Sequence, residues 1–205
     1  MLCKEVNFRE IDRQLIEIKD ENAKNQLKDR VNFTNESDSL LFFCYIDSSA
    51  GLTFDFLCPF NSKNNEYFEI ENKNFRHFFR KGFFNEVEIN ILSDEILKSE
   101  KLKEYIYSII EHYENDDNKI HTRKCCDIDH LRQIDYPDDV LVYICKDGLD
   151  TERIWVRLNK VVDGKLYGTL LNEPNSYFGI HRNEEIKMEF FKGNDNKYNL
   201  IYICK

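Results

Sequence analysis

Glycine is scarce in this chain, with 7 in 205 residues, and so are proline, with 3, and tryptophan, with 1. The glycines fall at turns. Neither GxGxxG nor GxxxxGK[ST] occurs, so the backbone cradle that holds nucleotide phosphates is missing. The seven cysteines are odd in number and form no CxxC pair. No basic, apolar and small-residue leader opens the chain, and no apolar run approaches the roughly 18–20 residues of a membrane span. The reading is a cytoplasmic protein with reduced thiols and no membrane partner. GxSxG and HExxH are absent as well, which removes the common signatures of a serine hydrolase and a zinc protease. Positive charge is in deficit: 29 Lys and Arg stand against 38 Asp and Glu, a net charge of −9. Phosphate backbones need cations opposite them, so nucleic acid is excluded as the expected partner and a basic protein fits better.

What is present is enough to fold. Hydrophobic residues make up 41% of the chain and aromatics 14%, led by 16 Phe and 11 Tyr, so a sizeable core can be buried. The acidic excess is uneven. Residues 1–135 carry 19 basic and 27 acidic side chains, and the remainder carries 10 and 11.

Apolar positions Ile11, Leu15, Ile16, Ile18 and Leu27 predict helix over 5–30, in one piece or in two divided near Asn22 and Asn25. Leu40–Ile46 reads as a buried strand and Leu52–Cys58 as its hairpin partner, which Pro59 ends or places at an edge. A short helix is expected over 74–81, a strand over 83–92, and a helix capped by Ser93 from there to Tyr113. Residues 114–119 (ENDDNK) are the hydrophilic break. Asp127–Ile134 reads as a short helix capped by Asp127, and Tyr136–Asp139 as a turn. Val140–Cys145, Arg153–Val162, Lys165–Leu171, Glu185–Phe191 and Tyr198–Cys204 then read as five strands. Asp163-Gly164 is a two-residue turn suited to positive φ at both positions.

The predicted fold class is α+β. An N-terminal domain of antiparallel strands and helices (1–118) is followed by a linker with a short helix (119–137). A small five-stranded antiparallel domain (138–205), SH3-like or a partly open barrel, completes the chain.

Two clusters and one lone residue are candidates for chemistry or binding. His121, Cys125, Cys126, Asp127, Asp129 and His130 are the one dense group of ligand types. The pairs His121/Cys125 and Cys126/His130 are each i,i+4 on a helix but point about 100° apart, so another element would have to complete a zinc site. The segment is read as a polar helix cap, with no metal or cofactor assigned. Phe75, Phe78, Phe79, Phe83 and Phe84 crowd around Arg76, His77, Arg80 and Lys81, and are read as a plug sealing a sheet edge. Trp155, opposite in parity to Ile154, Val156 and Leu158, points away from the core and is a candidate partner anchor.

The last third also carries a resemblance. Trp155, Gly164, Gly168, Leu170, Asn172, Glu173 and Pro174 match in order and spacing a "WV.V….G…G.L.NEP" hairpin. The stretch 138–203 thereby resembles a family of bacterial domains of unknown function found among immunity proteins of polymorphic toxin systems. Where that family has Gly-Asp before the next strand, this chain has Asn183-Glu184. The resemblance supplies no catalytic residue. It implies a non-enzymatic bacterial binding protein, an immunity protein that neutralises a cognate toxin by direct contact. Trp155, Asn172, Glu173, Asp116 and Asp117 are the partner-binding candidates and a basic toxin domain is the partner. The alternatives are a regulatory or scaffolding module, or a small enzyme using the His121–His130 segment. Oligomeric state is left open.

Overall fold

The two apolar runs at 40–46 and 52–58 form the spine of the first half of the molecule. In the computed structural model, which describes residues 1–70, 75–113 and 116–204, they become two long neighbouring strands of an antiparallel sheet. The chain divides into two compact units, Met1–Asn115 and Asp116–Lys205.

The first unit opens with a short helix α1 (Phe8–Ile11), then strand β1 (Leu15–Ile18) and helix α2 (Glu21–Leu27). β2 (Ser39–Asp47) and β3 (Gly51–Asn61) follow, then β4 (Glu66–Tyr67), β5 (Phe78–Arg80), β6 (Ile89–Leu92) and helix α3 (Glu100–Tyr113). The sheet runs β4-β3-β2-β1-β6, with β5 also on β3, and curls into a half-barrel. Both faces are covered. Ile16, Ile18, Phe42, Cys44, Phe54 and Phe56 pack with α1 and α2 on one side; Leu15, Leu41, Phe43 and Tyr45 pack with α3 on the other.

The helix expected over 5–30 is therefore interrupted. Leu15–Ile18 lies between β2 and β6, buried along its whole length. Leu, Ile and Glu are adequate helix formers, and only a sheet with two covered faces makes a run apolar on both sides worth more as a strand. Glu17 is tolerated there because Ser62 donates to one carboxylate oxygen and Asn90 Nδ2 to the other at 3.1 Å.

The helix expected over 74–81, of which residue 74 lies outside the described residues, is a correction of the same kind: Phe78–Arg80 is strand, followed by a 3-10 turn over Lys81–Phe84. Of its aromatics, Phe79 and Phe84 are buried, whereas Phe78 and Phe83 are exposed. Strand 83–92 shortens to β6. Ser93 does cap, accepting from the Glu95 N–H, but only a 3-10 turn follows before α3 begins. Pro59 does not end β3; it lies opposite Leu40, just past a register shift at Leu41/Phe42 where the ladder is already interrupted.

The second unit begins with α4 (Asp117–Arg123), a 3-10 turn (Cys126–Leu131) and β7 (Arg132–Gln133). Then come β8 (Tyr136–Cys145), β9 (Glu152–Val162), β10 (Lys165–Leu170), β11 (Glu185–Lys192) and β12 (Tyr198–Ile203). Neighbours pair antiparallel in chain order, and β12 closes on β8 in parallel, Ile201 opposite Tyr143 and Ile203 opposite Cys145. The result is a closed five-stranded barrel. Asp163 and Gly164 take φ of 50° and 71°, the turn that lets β9 and β10 keep their twist. Val140, Val142, Ile154, Val156, Leu158, Leu166 and Met188 fill the interior. At roughly 1.5–3 kcal/mol for each large side chain removed from water, this filling is what closes the barrel.

Three expectations in this half are corrected. Residues 119–137 are no linker: Ile128 and Leu131 belong to the barrel core, and Arg123 makes a buried two-bond pair with Asp138, at 2.8 and 2.9 Å. Tyr136–Asp139 is not a turn but the start of β8, because Asp138 and Asp139 find arginine partners on either side of the strand. Cys125, not Asp127, precedes the 3-10 turn, and no side chain caps it.

Candidate partner-binding ridge

β9 alternates. Ile154, Val156 and Leu158 point inward, so Trp155 must stand on the barrel wall, where it is 36% exposed and lies opposite Leu141. β10 ends at Leu170, yet the rung beside Trp155 is completed. Leu171 N–H donates to the Trp155 carbonyl at 2.9 Å, and the Asn172 side-chain oxygen accepts the Trp155 N–H at 3.0 Å. Asn172 thus stands in for the backbone carbonyl that the departing chain no longer presents.

The loop that follows is tied down at several further points. Glu173 accepts from His181 Nδ1 at 2.7 Å and from the Arg182 N–H at 2.8 Å, joining the loop's start to its end. Glu152, at the head of β9, accepts from the N–H groups of Asn175 and Ser176, both at 2.8 Å. Lys146 Nζ donates to the Phe178 carbonyl at 3.2 Å and sits 5.4 Å from the Tyr177 ring centroid. Phe178 plugs into the barrel core, leaving its neighbour Tyr177 78% exposed. The loop is ordered from both sides while two aromatic rings face outward.

These bonds set the electrostatics. Hydrogen bonds from Arg182 and His181 hold the Glu173 carboxyl below the usual range, and those from Ser176 and Asn175 do the same for Glu152. The bond to Glu173 raises the His181 pKa above its ordinary value. All three groups are open to solvent, so the bonds order the loop more than they stabilise the fold.

Of the candidates from sequence, Trp155, Asn172 and Glu173 are brought together. Asp116 and Asp117 are spent differently. Asp116 caps α4, accepting from the Asn118 N–H at 3.0 Å, and the Asp117 carbonyl lies 2.6 Å from His121 Nδ1. Glu152, Tyr177 and His181 were missed: each matters through a partner 8 to 31 residues away, and no local pattern marks such pairs.

In the His121–His130 segment, Cys125 Sγ donates to the His121 carbonyl at 3.8 Å and Cys126 Sγ to the Lys124 carbonyl at 3.5 Å. Among the described residues no group of three or more His, Cys, Asp or Glu side chains is placed to hold a metal ion. No helix among them is long and apolar enough to cross a membrane. The barrel unit carries two hollows of about 540 Å³ that share Ile201 on their border, while hollows in the first unit measure about 330 and 200 Å³. No protein-family model, no curated protein and no solved structure matches the chain.

Proposed function

We propose that this chain is a non-enzymatic binding protein, most specifically one that neutralises a cognate toxin domain by direct contact, with the Trp155–Asn172–Glu173 ridge as its contact surface. The observation that carries this reading is pre-organisation. An exposed Trp stands on strand β9 and an exposed Tyr on a loop whose backbone is already hydrogen-bonded, so little conformational freedom is lost when a partner docks. Charge adds direction. The first unit has 15 basic and 22 acidic residues and the second 14 and 16, so both carry net negative charge, which favours long-range approach of a basic domain.

The test uses the reading frame immediately upstream in the native genome. Its C-terminal domain is expressed with and without this protein, and growth and complex formation are measured. The reading expects rescued growth and a stable complex, with Trp155→Ala and Glu173→Lys each weakening binding at least tenfold. A complex without rescue indicates a scaffolding role on the same surface. Neither complex nor rescue removes the toxin-neutralising reading.

A further inference from the structure

Among the described residues, one side of the strand β5 backbone has no partner. Phe56 N–H donates to the His77 carbonyl at 2.9 Å, and Phe54 pairs with Phe79. In an antiparallel ladder alternate residues turn their polar groups to the same side. His77 and Phe79 therefore face β3, while Phe78 turns both N–H and C=O outward and Arg80 turns its N–H outward. Among the described residues no backbone group pairs with these three. The opposite margin of the sheet is treated differently: at β6, Ile89 N–H donates to the Met1 carbonyl at 2.9 Å and Glu88 bridges to Leu2.

The side chains along this edge are arranged as well. Arg76, Phe78 and Arg80 share one face. Phe78 is 45% exposed, and the guanidinium carbons of Arg76 and Arg80 lie 5.8 and 4.6 Å from its ring centroid. Both cations are held from beneath. Arg76 donates through Nε to the buried Asp55 at 2.6 Å, through Nη2 to the Tyr45 hydroxyl at 2.6 Å and through Nη1 to the Tyr113 hydroxyl at 3.2 Å; Arg80 donates through Nη1 to Asp47 at 3.5 Å and to Thr53. About a third of each arginine side chain still faces solvent, at 36% and 37%. A guanidinium has five N–H donors, so both retain capacity for a second carboxylate.

We propose that the outward edge of β5 docks an extended acidic segment of a partner protein, which adds as a further strand. Backbone bonds form to Phe78 and Arg80, an apolar side chain lies beside Phe78, and carboxylates two positions to either side meet Arg76 and Arg80. The charges select this occupant over a second copy of the chain. Two β5 edges pairing antiparallel about Phe78 would set Arg76 of one against Arg80 of the other, and like charges directly opposite are destabilising. This surface does not depend on the Trp155 ridge.

The test titrates the full-length protein with the capped peptide TETVTET and, as control, TKTVTKT, following backbone amide exchange and affinity. Slowed exchange at Phe78 and Arg80 is expected, with at least tenfold weaker binding of the lysine peptide. Phe78→Pro removes the outward N–H without touching the ladder to β3, and should abolish binding in a folded protein. Arg80→Glu, which keeps the backbone intact, should lose the preference for the acidic peptide. No protection at the two amides at millimolar peptide, equal binding of the lysine peptide, an unchanged preference in Arg80→Glu, or undiminished binding by folded Phe78→Pro would overturn the proposal.

Discussion

The side-chain oxygen of Asn172 takes the backbone N–H of Trp155 at 3.0 Å, so one residue beyond the end of β10 holds the only tryptophan in its place on the barrel wall. Removing that oxygen leaves an N–H at the ladder's end with water as its only replacement partner. Asn172→Ala is expected to cost about 0.5–1.5 kcal/mol of stability. Because the chain has a single Trp, its fluorescence anisotropy reports the site directly and should fall in the variant. An unchanged anisotropy would mean that packing against Leu141 alone orders the ring.

Glu173 and His181 give the loop a pH window. The His181 pKa is raised from 6.5, so its contribution is complete below that value and is lost as pH rises through the folded-state pKa. The Glu173 pKa is lowered from 4.5, so its contribution is present above 4.5 and is lost as pH falls through the folded-state value. The pair is tightest between the two. Proton NMR of the His181 ring should give a midpoint above 6.5 that drops toward it in Glu173→Gln.

Arg123 and Asp138 are both buried and joined by two bonds. Arg123→Ala strands a carboxylate in the interior and should destabilise the protein by about 3–5 kcal/mol, read from chemical denaturation. Replacing both partners together, Arg123→Met with Asp138→Leu, should recover most of that loss. A double variant as unstable as the single one would show that the pair's geometry, rather than charge burial, is what α4 needs.

Gly168, read from sequence as a turn glycine, lies instead inside β10 at a register shift against β9, where an added Cβ would lie 2.5 Å from the Arg157 carbonyl oxygen and 2.5 Å from Val156 Cγ1. A backbone atom cannot swing aside as a side chain can. Gly168→Ala should therefore cost about 1–3 kcal/mol through forced strand displacement. A melting temperature equal to wild type would show that the bulge relaxes freely.

The barrel strands were readable because their information is local. Ile154, Val156 and Leu158 alternate with polar neighbours, and Asp163-Gly164 can adopt positive φ, so period and turn chemistry agree before any tertiary contact is considered. The same parity placed Trp155 outside. Closure of the barrel was not readable in this way, since β12 meets β8 more than fifty residues earlier in the chain.

The sequence by itself determined the α+β class, the hydrophilic break near residue 115, the five barrel strands and the outward face of Trp155, all of which follow from repeats and turns a few residues long. Tertiary structure decided the rest. Leu15–Ile18 became a strand because β2 and β6 pair with it; residues 119–137 joined the barrel because Arg123 found Asp138; and the loop after Asn172 is held because Glu152 and the Glu173–His181 bond tie it down. Each of these depends on pairing between residues distant in sequence. No window of local propensity contains both members of such a pair, and burial of a polar or two-sided apolar segment is favourable only once its partner is in place.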